Sequence, residues 1–257
     1  MNRWRADFKW IFGIIFTLVF IFALLMLAMF QATGRESAER TLSAMRKSIV
    51  SETGIRDQLS VVAPDILSFL ESPDFSSRVY DDPAYLQRKI EAIPSGTQPV
   101  SLTPETAGAL QEAQSARSFL EIYITPMSFL SAGVHSFFRG AFIILLILSA
   151  LAAAPFILLS RGLGRAVSAG VSMAVASWGP FLFFSLLEGR RLGWTPEKNG
   201  SGDSYEQRRA IEEGANQFAQ SLVDASLSVY TLFAMLSLIL LLGAAAGLLL
   251  LKTRPAP

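Results

Sequence analysis

Four stretches of this chain stay apolar for the thickness of a bilayer, and the polar segments between them repeat their apolar positions at helical spacing. Ile11 to Phe30 holds twenty residues without a charge. At about 1.5 Å of rise per residue this reaches about 30 Å, the depth of the hydrocarbon core. A second apolar stretch runs from Gly140 to Leu159 and a third from Ala166 to Leu187. Only Ser160-Arg161-Gly162-Leu163-Gly164-Arg165 separates them, so the two must form a helical hairpin. The last, Ala225 to Leu251, is uncharged over 27 residues, enough to cross with tilt or with an extra turn outside. The pattern predicts an all-α integral membrane protein with four transmembrane helices and a small, mainly helical extracytoplasmic region between the first two.

The first stretch has a competing reading as a secretory signal, because Arg3, Arg5 and Lys9 precede it. A signal core is about 7 to 15 residues long and ends in small residues, whereas here a longer run ends in Met29-Phe30-Gln31. An uncleaved anchor fits better.

The polar segments carry their own punctuation. Within 31–139, Leu42, Met45 and Ile49 form one apolar stripe between Gly34 and Gly54. A further helix over Ile55 to Leu70 turns Leu59, Val62, Ile66, Phe69 and Leu70 inward, with Pro64 kinking or dividing it. Asp82-Pro83 is a cap followed by proline at the first helical position, opening a short helix that ends before Pro94-Ser95-Gly96. Thr103-Pro104-Glu105 repeats that start signal for a helix through Tyr123, with Thr97 to Leu102 extended between the two. Pro126 interrupts the approach to the second span, which predicts that Met127 to Phe138 lies along the membrane surface. The core of such a region is thin, so it is expected to pack on the membrane surface, on the second loop or on a partner. In that second loop, 188–224, Ser204 and Gln207 make a capping-box pattern. The helix they open carries Ile211, Ala215, Phe218 and Leu222 on one face and runs into the fourth span.

Orientation follows from basic residues near the span ends. With residues 1–10, 160–165 and 252–257 in the cytoplasm, that side holds seven basic residues (Arg3, Arg5, Lys9, Arg161, Arg165, Lys252 and Arg254) and one acid, Asp7. The opposite side then holds twenty acids and fifteen bases. Trp4, Trp10 and Trp194 fall where interfacial aromatic anchors belong.

Composition agrees. With 51% hydrophobic and 17% charged residues the chain is too apolar for an ordinary soluble domain. A net charge of +1 gives no basic face for nucleic acid. The absence of cysteine removes thiol nucleophiles, disulfides and thiolate metal sites. A polar region outside the membrane without disulfides favours a prokaryotic cell membrane.

Candidate chemistry is sparse. His135 is the single histidine, which leaves neither a paired zinc-ligand set nor a triad partner, and it reads as an interfacial polar side chain. Arg161-Gly162-Leu163-Gly164-Arg165 lacks the residues of a phosphate loop and reads as a tight turn. Glu188, Arg190, Arg191 and Asp224 gather at the outer ends of the third and fourth spans. They form a candidate polar cluster for an ion or headgroup, or a set of boundary charges holding two helices in register. The spans hold no ionisable group at mid-membrane, only Thr17, Thr231 and serines, which argues against a transport path through this chain alone. Ala166, Gly170 and Ala174 on the third span, and Gly243 and Gly247 on the fourth, are spaced four apart. Such spacing suits close helix approach, within the bundle or with a partner. Pro155 and Pro180 are expected kinks. Asn199-Gly200-Ser201 matches the N-glycosylation acceptor.

As topology alone, this layout resembles the permease family of FtsX and MacB-type exporters, and also the four-span layout of claudin-like proteins. The permeases carry a coupling segment between spans two and three, for which the six residues from Ser160 to Arg165 are too short. Claudin-like proteins carry a cysteine pair in the first outer loop, and this chain has none.

The expectation is a non-catalytic protein that needs no cofactor or metal. Its outer helical region acts as accessory subunit, scaffold or envelope sensor, with membrane lipid and a protein partner or second copy as its contacts. A transporter or permease component is the alternative, and a lipid-modifying enzyme the third.

Overall fold

The computed structural model describes residues 3–51, 53–93, 127–160, 162–189 and 203–252, together with positions 114, 117, 118, 120 and 121. Among them there is no strand. The helices are α1 (Arg3–Ala32), α2 (Arg35–Ser51), α3 (Thr53–Val62), α4 (Pro64–Glu71), α5 (Phe75–Asp81), α6 (Pro83–Glu91), α7 (Ala132–Leu158), α8 (Gly164–Gly189) and α9 (Asp203–Lys252). The expected extended stretch Thr97 to Leu102, the start signal at Thr103 and the acceptor at Asn199 lie outside the described residues, as do Arg190, Arg191 and Trp194.

Two compact units emerge. A span unit comprises Met1–Gln31, Phe137–Arg191 and Leu222–Pro257, and a helical unit comprises Ala32–Ser136 and Leu192–Ser221.

In the helical unit, Ala38, Leu42, Met45 and Ile49 form the buried stripe of α2, at the spacing that returns a side chain to the same helix face. Pro64 does divide the next segment: α3 ends at Val62 and α4 begins at the proline, where the missing N–H costs nothing because it has no partner in a first turn. Arg56 and Glu71 close the break with a 2.9 Å ion pair. Both side chains are largely exposed, so the pair adds at most about 1 kcal/mol, and burial of Leu59, Ile66, Phe69 and Leu70 carries the join.

The helix α5 has no counterpart in the sequence reading. Phe75 and Val79 lie one turn apart and both are buried, with the Phe75 ring 5.4 Å from that of Phe69. Arg46 ties down the preceding turn by donating from Nη1 to the Ser72 carbonyl at 2.9 Å. Asp82 precedes α6 as expected, yet its side chain makes no capping bond. Its carboxylate instead accepts from Arg88 Nη2 at 2.6 Å, a charged donor that outcompetes a backbone N–H. Leu86 and Ile90 are the buried face of α6. Leu120, Met127 and Leu130 complete the core, and Phe218 of α9 packs against it. Of the other positions expected on that face of α9, Ala215 is exposed and Leu222 half-buried, while the side chain of Ile211 lies outside the description.

Among the described residues, four helical stretches are long and apolar enough to cross a membrane: Asp7–Ala32, Ala132–Leu158, Gly164–Glu188 and Ala215–Leu250. The helix α7 begins eight residues before the expected Gly140, so residues 132–138 are helical and continuous with the span. Arg139 ends the uncharged window there without ending the helix, because hydropathy and backbone geometry are separate constraints. Both α7 and α8 continue through their prolines, Pro155 and Pro180. In the same way α9 runs unbroken from Asp203 to Lys252, carrying the amphipathic segment and the last span as one helix.

Candidate functional site

Aromatic contacts build the span unit. On α1, Phe16, Phe20, Leu24 and Ala28 form one buried stripe, while Ile14, Leu18 and Phe22 point outward and are exposed. Phe16 stacks on Phe156 of α7 with centroids 6.2 Å apart, and Phe20 meets Phe233 of α9 edge-on at 5.4 Å. Phe184 of α8 stacks on Tyr230 of α9 at 5.8 Å. Lys9 lies 5.9 Å from the Phe156 ring centroid, a cation over an aromatic face. Helices apolar inside and outside alike need lipid as their solvent.

The hydroxyls of the spans turn back onto their own helices. Thr17 Oγ1 donates to the Gly13 carbonyl at 2.8 Å, and Ser177 Oγ to the Met173 carbonyl at 2.7 Å. Between helices, Trp178 Nε1 donates to Ser237 Oγ at 3.3 Å. Ser226 is fully buried, and its hydroxyl has no partner among the described residues.

Where α1, α8 and α9 meet, an open groove of about 650 Å³ runs along the unit. Its polar end is Gln31, Glu188, Ser185 and Ser228; its apolar end is Leu27, Phe181, Leu232 and Met235. Among the described residues, Glu188 is its only charged side chain.

A second cleft, about 400 Å³, opens in the helical unit between α4 and α6. Ala63, Pro64, Ile66, Ala92 and Ile93 give it an apolar floor, and Asp65, Tyr85, Arg88 and Lys89 its polar rim. Lys89 Nζ stands 5.7 Å from the Tyr85 ring centroid, and Arg88 is held by Asp82. The rim thus offers both signs of charge beside an aromatic ring.

Elsewhere on the helical unit, Arg35 pairs with Glu39 at 2.8 Å and with Asp81 at 3.4 Å, and lies 5.8 Å from the Tyr80 ring centroid. The hydrogen bond to Glu39 and then the charge of Asp81 raise the Arg35 pKa. Burial pushes the Tyr80 phenol up from its ordinary value, against the smaller opposing pull of Arg35.

Of the candidate cluster, Glu188 lines the groove and Asp224 is exposed on α9; two carboxylates repel, so nothing holds these two together as a pair. Arg190 and Arg191 lie outside those residues. Gly170 is buried against α9: a Cβ there would stand 3.0 Å from Leu241 Cδ2 and Cγ. At Gly247 it would stand 3.2 Å from Leu163 Cδ2, whereas at Gly243 it would meet nothing within 4 Å. Ala166 and Ala174 are half-buried on α8. His135 Nδ1 lies 3.4 Å from the buried Thr33 Oγ1 within the helical unit. No cluster of three metal-ligating side chains occurs among the described residues. Both clefts escaped the sequence reading, because each is made by the packing of separate helices, α1, α8 and α9 in the first and α4 and α6 in the second, which periodicity within one helix does not record. The one available signal was that Gln31, Glu188 and Ser228 fall at corresponding span ends.

Comparison with known proteins returns no match: no family model fits the chain, and no curated protein and no solved structure is similar to it. Its class therefore rests on its own architecture, which is that of an all-α multi-pass membrane protein.

Proposed function

We propose that this chain is a non-catalytic membrane protein whose helical unit recognises a protein partner, as accessory subunit, scaffold or envelope sensor. The observation that carries this reading is the cleft between α4 and α6. An apolar floor of Ala63, Ile66 and Ile93 beneath Asp65, Arg88 and Lys89 has the composition of a peptide-binding surface, with an apolar centre and a charged rim. The unit that bears it has its own apolar core, so the cleft is held by packed helices and not by a loop.

In this reading the termini and the turn at 160–165 are cytoplasmic and the helical unit lies on the other face of a prokaryotic cell membrane. The basic residues flanking the spans support that orientation. Photo-cross-linking tests the function. A photoreactive residue in place of Tyr85 or Ala92, in the full chain in its native membrane, is expected to give one discrete adduct that Lys89→Glu removes. No adduct at either position overturns the proposal.

A further inference from the structure

Among the described helices, α9 alone sets large side chains against both apolar cores. Phe218 packs on the core of the helical unit, while Val229, Tyr230 and Phe233 pack in the core of the span unit. Phe218 and Val229 stand three whole turns apart to within about 20°, a rise of about 16 Å, so they share a face. Leu222, Ser226 and Phe233 lie on that same side, which makes one seam of the two anchors. Nothing between them lets the helix give. From Ala215 to Leu242 the sequence holds neither glycine nor proline, and the helix is unbroken throughout. The chain passes from α1 to α2, by contrast, through a break at Thr33 and Gly34, and enters α7 from a turn ending at Ser131.

The seam has one fault. Ser226 is fully buried between the two anchors, and its hydroxyl has no partner among the described residues. A buried hydroxyl left unpaired marks a seat that the helix holds at a cost, so turning α9 out of that seat loses less than it would from an apolar seam. We infer that α9 is a torsional coupling with two seats: when Phe218 leaves the helical core, the helix turns as one body and repacks Tyr230 and Phe233 in the span core. The contacts that change are the stacking of Tyr230 on Phe184 at 5.8 Å and the edge-on meeting of Phe233 with Phe20 at 5.4 Å. Packed cores are bistable and not continuously deformable, so the response is a jump between two packings. The coupling rests on α9 and not on the cleft between α4 and α6, and it holds for any event that moves Phe218.

The chain has no cysteine, so two spin labels can be placed without background. Leu18→Cys on α1 and Ile239→Cys on α9, both at exposed positions, report the seat of α9 within the span unit. Double electron–electron resonance on the full chain in lipid nanodiscs reads their separation. Phe218→Ala is expected to move the mean distance by about 2 Å, the size of a helix shift between packed states. Phe218→Leu should move it less, and it reads the coupling if the alanine variant loses helical signal. With two glycines inserted after Ser221, between the anchors, Phe218→Ala should no longer move the distance. Ser226→Ala should reduce the shift, since it removes the cost of the original seat. An unmoved distance in both Phe218 variants overturns the proposal. So does a shift that survives the glycine insertion, because the change then travels by another route, and so does a shift undiminished by Ser226→Ala.

Discussion

Gly13 of α1 lies against the ring of Phe156 of α7, so close that a Cβ at position 13 would stand 2.8 Å from Cε2. The ring has little room to withdraw. Phe16 stacks on it, Lys9 lies over it, and it is buried. Gly13 is thus a contact point between the first two spans, at a position that carries none of the small-residue spacing seen on the third and fourth.

Gly13→Ala should therefore destabilise the span unit. Overpacking costs about 1 to 3 kcal/mol, while alanine recovers about 1 kcal/mol of helix propensity, leaving a net loss of about 1 kcal/mol. Gly13→Val lacks most of that recovery and should lose more. Combining Gly13→Ala with Phe156→Leu should cost less than the two changes summed, since the smaller side chain makes room for the new methyl. Denaturation in detergent micelles measures all four states of this cycle.

Gly170 and Gly243 offer a sharper contrast. A side chain at 170 must displace Leu241, whereas one at 243 enters open space. Gly170→Val should lower stability by about 1 to 3 kcal/mol, and Gly243→Val should leave it within about 0.5 kcal/mol. Analytical ultracentrifugation of the second variant then reports on association: a changed oligomeric state at unchanged stability assigns Gly243 to an interface between chains.

Ser226→Ala should stabilise the protein. A buried hydroxyl carries a desolvation penalty of about 1 to 3 kcal/mol when unbonded, that of Ser226 has no partner among the described residues, and alanine removes the hydroxyl while keeping the Cβ. A gain of about 1 kcal/mol is expected in the same micelle assay. Loss of stability would mean that the hydroxyl is bonded after all.

Tyr80 gives the helical unit an alkaline limit. Its folded pKa is raised, chiefly by burial, above the value of about 10 for an unfolded tyrosine. Below pH 10 both states hold the proton and the contribution is fully present. Above it the unfolded chain releases the proton first, so stability falls as pH rises toward the folded value. Tyr80→Phe should flatten that fall. Melting temperature against pH for the two proteins, compared above and below pH 10, checks it.

Legibility in the sequence follows range. The spans were readable because each is set by a local run of apolar residues longer than any soluble helix core needs. The stripe Leu42, Met45, Ile49 was readable because its period lies within one helix, and Pro64 because proline acts on its own backbone. The helix α5 was missed since seven residues with only Phe75 and Val79 one turn apart give too short a period to detect. Asp82 had the residue type and place of a cap, but Arg88, six positions on, took its carboxylate. Small residues four apart on the third and fourth spans do not share one setting: a Cβ at Gly170 would press on Leu241, and one at Gly243 would meet no atom of the described residues within 4 Å. Which neighbour stands opposite is decided by the packing of helices far apart in sequence, and spacing on one helix carries no record of it.

The two apolar clusters, one around Leu42, Phe69 and Phe75 and the other around Phe16, Phe156 and Tyr230, have no residue in common. Melting of this chain is expected to show two midpoints, which calorimetry in detergent checks; one cooperative transition is the contrary result. Urea weakens apolar burial that water would otherwise enforce, so it should dissolve the first cluster at concentrations that leave the second, whose surroundings are acyl chains, intact. Changes at Tyr80 belong to the urea-sensitive step, and changes at Gly13, Gly170 and Ser226 to the one that yields only to harsher detergent.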